Sequence, residues 1–216
     1  MKTIVNEPEV LPLSLKLFNQ ALRDNIHRDK EIQQGIEGER KHVKEVLKWV
    51  KKLDKNPSLS LKIAALFHDI DRVVTPGVEG GFKGDRKSKA YLLHKRTHAK
   101  RGANYTCKKL KECSVDTRII DRVRFLIEHH DDTLDEVQSF SDKELEILVA
   151  ADSLSWLAST GPTIYRKEGN ERAKDKLKFM INKLPKFARK ILITLPVESK
   201  TMDRLKTEVL RELDII

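Results

Sequence analysis

The sequence has few cysteines and no long apolar run. Cys107 and Cys113 are its two cysteines, and neither has a second thiol at CxxC spacing. They are typical of reduced thiols in an intracellular protein rather than of a disulfide or a zinc pair. No run of 18 apolar residues occurs, and the N-terminus lacks a charged region followed by an apolar core. These absences predict a cytoplasmic protein that is neither secreted nor membrane-spanning.

The sequence also lacks internal repeats and low-complexity tracts. Its 216 residues fit one domain with a small appendage, and Leu, Lys, Glu, Ala and Arg dominate the composition. We therefore predict an all-α helical bundle, with one domain over residues 1–165 and a C-terminal helical extension over residues 166–216. The extension, from Asn170 onwards, consists of amphipathic helices without recognisable chemistry.

The positive charge of the sequence is not concentrated in one segment. Lys and Arg number 43 against 33 Asp and Glu, which gives a net charge of +10. Such a balance is compatible with nucleic-acid binding, with attraction of anionic metabolites, or with a basic surface alone. The charges are spread along the chain without interleaved aromatic residues, so a nucleic-acid partner is not the favoured interpretation.

The most informative stretch runs from Leu61 to Arg72. Its apolar residues recur at helical spacing, and its end sets His68 beside Asp69. Adjacent helical residues point about 100° apart, so the pair can reach a shared ion only from neighbouring edges of one face. A simple polar helix end is the alternative interpretation.

Two further residues lie on apolar helix faces. A helix is predicted over Ile32–Asp54, with its start nearer Gly38, and His42 falls on its apolar face. The alternative interpretation of His42 is a core histidine that is only hydrogen-bonded. Asp152 falls on the inward stripe of a helix that a Ser141–Glu144 capping box predicts. An ionised carboxylate there costs several kcal/mol unless a cation or strong donors compensate, and we therefore interpret Asp152 as functional.

Other candidate ligands and cations lie between these elements. His98 is predicted to open a helix, and another helix ends in Glu128–Asp132, which contains His129 and His130. A glycine-rich segment over residues 75–87 predicts a loop that could act as a lid. It carries Lys83 and Arg86, and a solvated surface or a phosphate-binding loop would each explain its charge.

The order H…HD…D, formed by His42, His68-Asp69 and Asp152, resembles the HD-domain superfamily of metal-dependent phosphohydrolases over roughly Ile32 to Thr160. This resemblance implies an HD-domain-like helical bundle. It also implies one or two divalent transition metal ions, and the imidazole and carboxylate donors suit Fe, Mn, Zn, Ni or Co.

The segments around His98 and His129-His130 resemble the additional ligand segments of dinuclear members, which include HD-GYP phosphodiesterases and bacterial diadenosine-tetraphosphate hydrolases. The resemblance implies that Asp69 bridges two ions. His42, His68 and Asp152 would then hold one ion, and His98 with His129 and His130 the other. No GYP signature follows His130, and Arg72 stands where HD-GYP proteins have a lysine. A cyclic-di-GMP enzyme is therefore not predicted.

The function predicted from these residues is hydrolysis of a phosphate ester or anhydride of a nucleotide-like substrate by metal-activated water. Asp69, Asp71 and Arg72 are the candidate catalytic residues, and Arg72, Lys83 and Arg86 would bind phosphate, although Asp71 could equally pair with Arg72 structurally. A mononuclear nucleoside-5′-monophosphate phosphatase and a non-catalytic protein that binds nucleotide or nucleic acid are the alternatives. The sequence leaves the oligomeric state open.

Overall fold

A computed structural model describes residues 5–76, 82, 88–197 and 199–216. The described residues form eleven α-helices and no strand, which confirms the predicted all-α class. None of these helices is both long and apolar enough to cross a membrane. The predicted cytoplasmic location stays a prediction. The helices are α1 Glu7–Asp24, α2 Lys30–Leu53, α3 Leu59–Phe67, α4 Asp71–Val74, α5 Lys89–Glu112, α6 Thr117–His129, α7 Leu134–Ser139, α8 Lys143–Ala158, α9 Gly161–Asn182, α10 Lys186–Thr194 and α11 Lys200–Glu212.

Capping side chains explain where two helices begin earlier than predicted. The Asp29 carboxylate accepts hydrogen bonds from two backbone N–H groups, so α2 starts at Lys30 and runs through Gly38. Ser88 caps α5 in the same way, and His98 therefore lies inside α5 instead of opening it.

The start of α8 also differs from the sequence prediction. Asp142, not Ser141, is the N-cap of α8, because Ser141 has a φ of 51° in the left-handed region. The Gly161-Pro162 pair follows the end of α8 and begins α9, where a proline at the first helical turn loses no intrahelical hydrogen bond.

Helix α3 lies at the centre of the molecule. Seven of its nine residues are buried, and it packs against α1, α2, α6 and α8. Helix α2 also lies along α8, while α5 lies along α6. A central apolar helix carries its C-terminal end into the interior, so His68 and Asp69, which follow Phe67, are 0% and 4% exposed.

The C-terminal segment is packed on this bundle through α9, which contacts α8 and α11. Helix α9 runs across residue 165 and is kinked at Gly169, whose φ of 85° favours glycine. The division into residues 1–165 and 166–216 stays a prediction. The second half of α9, however, lines the same cavity as the buried acids described next.

Candidate metal centre

The first cluster consists of His42, His68, Asp69 and Asp152, whose ligand atoms all lie within 4.8 Å of one another. The Nε2 atoms of His42 and His68 are 3.3 Å apart. His42 Nε2 is 3.1 Å from Asp152 Oδ1, and His68 Nε2 is 3.5 Å from Asp69 Oδ2. Helices α2 and α8 and the end of α3 thus bring these four buried side chains to one point.

The hydrogen bonds behind the imidazoles fix their tautomers. His68 donates its Nδ1–H to the backbone carbonyl of Ala65 at 3.1 Å. The Ser155 and Ser159 hydroxyls donate to backbone carbonyls, so each can only accept from His42 Nδ1, 3.2 Å away. In this tautomer of either ring, Nε2 turns a lone pair towards the carboxylate oxygens, where a metal ion between them would bind both.

The second cluster consists of Asp69, His98, His130 and Asp131, again with ligand atoms within 4.8 Å of one another. His98 Nε2 is 2.8 Å from Asp69 Oδ1. His130 donates its Nδ1–H to the Ile127 carbonyl at 2.7 Å, so its Nε2 faces Asp69 and Asp131 at 3.6 and 3.4 Å. Asp69 thus contributes Oδ2 to the first cluster and Oδ1 to the second, the position of a bridging carboxylate.

Asp71 lies behind His98 rather than at the metal centre. Its Oδ2 is 3.0 Å from His98 Nδ1, and Arg101 binds both of its oxygens at 2.9 and 2.6 Å. This carboxylate–histidine pair orients the ring and leaves Nε2 as the ligand atom. The contacts of Asp71 are those of a positioning residue, and its ion-pair partner is Arg101 instead of Arg72, while the catalytic role predicted for Asp71 stays a prediction.

Asp71→Asn is expected to weaken metal binding about 10- to 100-fold, because an amide can donate to His98 Nδ1 and favour the wrong tautomer. Competition with a metal-chelating dye measures the affinity. Asp121→Asn, an exposed change on α6, is the matched control. Unchanged affinity in Asp71→Asn would contradict the positioning role.

Two buried lysines complete the centre. Lys183, at the end of α9, donates to Asp131 Oδ1 at 3.0 Å and to Asp152 Oδ2 at 2.8 Å, and so joins the two clusters. Lys95 Nζ is 2.6 Å from Asp131 Oδ2. Both lysines are at most 3% exposed. The C-terminal segment, which the sequence predicted to lack chemistry, therefore reaches the centre through Lys183.

The pKa shifts follow from these contacts. Burial alone would raise the pKa of Asp69, Asp131 and Asp152, but neighbouring cations hold all three pKa values well below the usual range: Arg72 at Asp69, and Lys183 at the other two. Burial lowers the pKa of His130, but Asp131 and Asp69 outweigh it and raise that pKa to about 10. Without a metal ion, His130 therefore holds a proton between Asp69 and Asp131.

Metal affinity is consequently expected to rise with pH. A protonated imidazole cannot bind a metal, and the raised pKa of His130 keeps its proton in place up to about pH 10. Each displaced proton adds about tenfold in affinity per pH unit. Calorimetric titration with the metal in buffers of different ionisation enthalpy measures the protons released, and an affinity independent of pH would contradict this prediction.

The remaining predicted site residues have separate outcomes. Among the described residues, neither cluster includes His129, whose Nδ1 is instead 2.6 Å from Asp132 Oδ2 and whose ring contacts Phe125 and Phe140. His130 and Asp131, next along the turn, point to the centre in its place. Lys83 and Arg86 lie outside the described residues.

Arg72 lies beside the first cluster, and its predicted role in phosphate binding stays a prediction. Its Nη1 is 2.9 Å from Asp69 Oδ2 and 3.1 Å from Glu39 Oε1. It also lines a cavity of about 370 Å³ that opens beside the two clusters. The residues lining this cavity include the ligands His42, Asp69, Asp131 and Asp152, the cations Arg172 and Lys176, and the large side chains Phe82, Tyr91, Trp156, Ile164 and Met180. The centre is therefore within reach of a small molecule.

The donor set fits a transition metal. Imidazole nitrogen with carboxylate oxygen suits Zn²⁺, Fe, Mn²⁺, Co²⁺ or Ni²⁺, and the outward Nδ1–H bonds are those expected behind metal-bound histidines. These buried groups can hold one or two metal ions.

Comparison with known proteins gives a family without an assigned activity. No curated protein and no solved structure matches the chain. A family model described as "Domain of unknown function (DUF4202)" matches residues 14–205 and thus spans both clusters, Lys183 and the cavity. The chain belongs to this DUF4202 family.

Proposed function

We propose that the protein is a metal-dependent phosphohydrolase that cleaves a phosphate ester or anhydride of a small, nucleotide-like substrate. The observation that carries this proposal is the set of Nε2 atoms that converge on carboxylate oxygens in the two clusters, beside a cavity that also contains Arg72. The order of these ligands along the chain resembles that of the HD-domain superfamily, and the family match neither assigns nor opposes that activity.

The residues of the centre would have two roles, metal binding and phosphate binding. A bound divalent metal would lower the pKa of water and stabilise the charge that develops on a phosphoryl group. His42, His68, Asp69 and Asp152 would hold one ion, and His98, His130 and Asp131 with Asp69 a second. Arg72 lies at the cavity wall beside Asp69, where its guanidinium can bind a phosphate oxygen.

A mononuclear phosphatase is the second candidate, and one observation favours it. Lys183 and Lys95 lie within 3.0 Å of the two oxygens of Asp131, so this carboxylate is already neutralised. In the first cluster, Asp152 keeps Oδ1 directed at His42. The first cluster therefore offers the stronger site, and the metal content per chain separates the candidates: near one for a mononuclear enzyme and near two for a dinuclear one.

The test is elemental analysis of the purified protein, followed by a phosphate-release screen with that metal restored. The panel contains nucleoside mono- and diphosphates, a phosphodiester and p-nitrophenyl phosphate. We expect phosphate release that a chelator abolishes and the metal restores. Metal binding without release from any member of the panel would favour a non-catalytic nucleotide-binding protein, and absence of both would reject the proposal.

A further inference from the structure

Two cations on α9, Arg172 and Lys176, line the cavity that also contains metal ligands. Arg172 and Lys176 are one helical turn apart and therefore share a face of α9. Arg172 donates from Nε to Glu168 Oε2 at 3.1 Å, and the Glu168 side chain is 47% exposed. Such a partly exposed pair contributes little stability and leaves the remaining N–H groups of the guanidinium free to bind another anion.

Lys176 has no such partner. Among the described residues, no carboxylate lies within ion-pair distance of its Nζ, which instead lies 4.8 Å from the centre of the Phe179 ring. Burial and the positive charges of Lys95, Arg72 and Lys183 outweigh the attraction of Asp131 and lower the pKa of Lys176 to about 8. A partly buried ammonium among other cations is unfavourable unless an anion accompanies it.

The same cavity contains a separate cation at the metal centre. Arg72, within 2.9 Å of Asp69, can bind the phosphoryl group that reacts. Arg172 and Lys176 belong to α9, and among the described residues neither forms an ion pair with a metal ligand. The cavity therefore offers two places for negative charge.

The size and lining of the cavity limit the rest of the ligand. A volume of about 370 Å³ lies in the range of small-molecule sites. Trp156, Ile164, Met180 and Tyr91 line the same cavity and supply apolar and aromatic surface. This combination suits a compact molecule with an apolar or planar body rather than a polymer.

We propose that Arg172 and Lys176 form a subsite for a second anionic group of the substrate, a phosphate or a carboxylate, while the reacting phosphoryl group lies at the metal centre. This inference rests on the proposed function, which it makes narrower: the substrate is a small molecule with two anionic groups. Arg172 and Lys176 are specificity residues that bind the group that does not react.

The test compares Lys176→Gln and Arg172→Gln with Arg166→Gln, an exposed arginine on the same helix, and Lys190→Gln, an exposed lysine on α10. Substrates are a nucleoside diphosphate (a second phosphate), phosphoserine (a carboxylate) and p-nitrophenyl phosphate (a single anionic group). We expect Lys176→Gln to raise KM about 10- to 100-fold for at least one two-anion substrate, as loss of a charge-assisted hydrogen bond does. The kinetics of p-nitrophenyl phosphate and of both control variants should stay within about twofold. The two-anion substrate that responds identifies the second group.

Binding separates this inference from the proposed function. Calorimetry of the metal-loaded protein with a non-hydrolysable methylene-bridged nucleoside diphosphate and with phosphoserine needs no turnover. Weaker binding to Lys176→Gln, even if no substrate is hydrolysed, would support the subsite and reject only the hydrolase. Equal binding to wild type and Lys176→Gln, no binding to either, or an equal loss with p-nitrophenyl phosphate would overturn the subsite.

Discussion

Asp69→Asn is expected to abolish metal binding and phosphate release together while the protein keeps a helical circular-dichroism spectrum. Asp69 places one oxygen in each cluster, at 3.5 Å from His68 Nε2 and 2.8 Å from His98 Nε2. The amide keeps the shape of the side chain but removes its charge and one acceptor oxygen. Substitution of a residue that only orients a metal ligand lowers the metal affinity about 10- to 100-fold. Loss of a ligand that both clusters share should therefore lower the metal affinity by more than about 100-fold.

Elemental analysis, phosphate release and circular dichroism measure these three quantities on the same sample. His68→Ala should give the same result for the first cluster, whereas Asp121→Asn, exposed on α6, should behave as wild type. Wild-type turnover in metal-replete Asp69→Asn would end the hydrolase proposal, because no reaction at this centre could then depend on its bridging carboxylate.

Lys183→Met should produce the largest loss of stability. The substitution removes the cation that binds Asp131 at 3.0 Å and Asp152 at 2.8 Å, and both carboxylates stay buried. Removing one partner of a buried ion pair costs about 3–5 kcal/mol of unfolding free energy, since an uncompensated charge remains. Denaturant unfolding of the metal-free protein measures this loss.

Lys190→Met, on the exposed side of α10, should change the unfolding free energy by no more than about 0.5 kcal/mol. Saturating metal should reduce the loss in Lys183→Met, because a bound cation compensates Asp152 and stabilises the native state by mass action. If Lys183→Met loses the same amount of unfolding free energy with and without metal, Lys183 has a purely structural role that does not depend on the metal centre.

Helical periodicity identified much of the centre. His42 and Asp152 each recur with apolar residues at helical spacing, which places them on inward faces, and they are 2% and 6% exposed. The His68-Asp69 pair follows a mostly apolar helix, and a helix with so few polar residues is expected to lie in the core. These inferences succeed because burial of an apolar face is a local property of the sequence.

Local patterns failed where orientation at a helix end matters. Helical spacing puts His130 on the apolar face of α6 and His129 at its edge, and His130 keeps a helical backbone after α6 ends at His129. His130 and Asp131 face the clusters while His129 contacts Asp132. The density of acids and histidines in this segment led to His129 being predicted as a ligand, and Asp131, which lies beyond the helix, was missed.

The sequence by itself determined an all-α protein with histidines and acids on the buried faces of several helices, because helix period and apolar burial are encoded residue by residue. Only the tertiary structure decided that Lys183, 31 positions after Asp152, neutralises two of these acids, and that α9 supplies cations to the same cavity. Such contacts depend on how distant helices pack against each other, and a lysine on an amphipathic helix has no local pattern that distinguishes a solvated charge from a buried one.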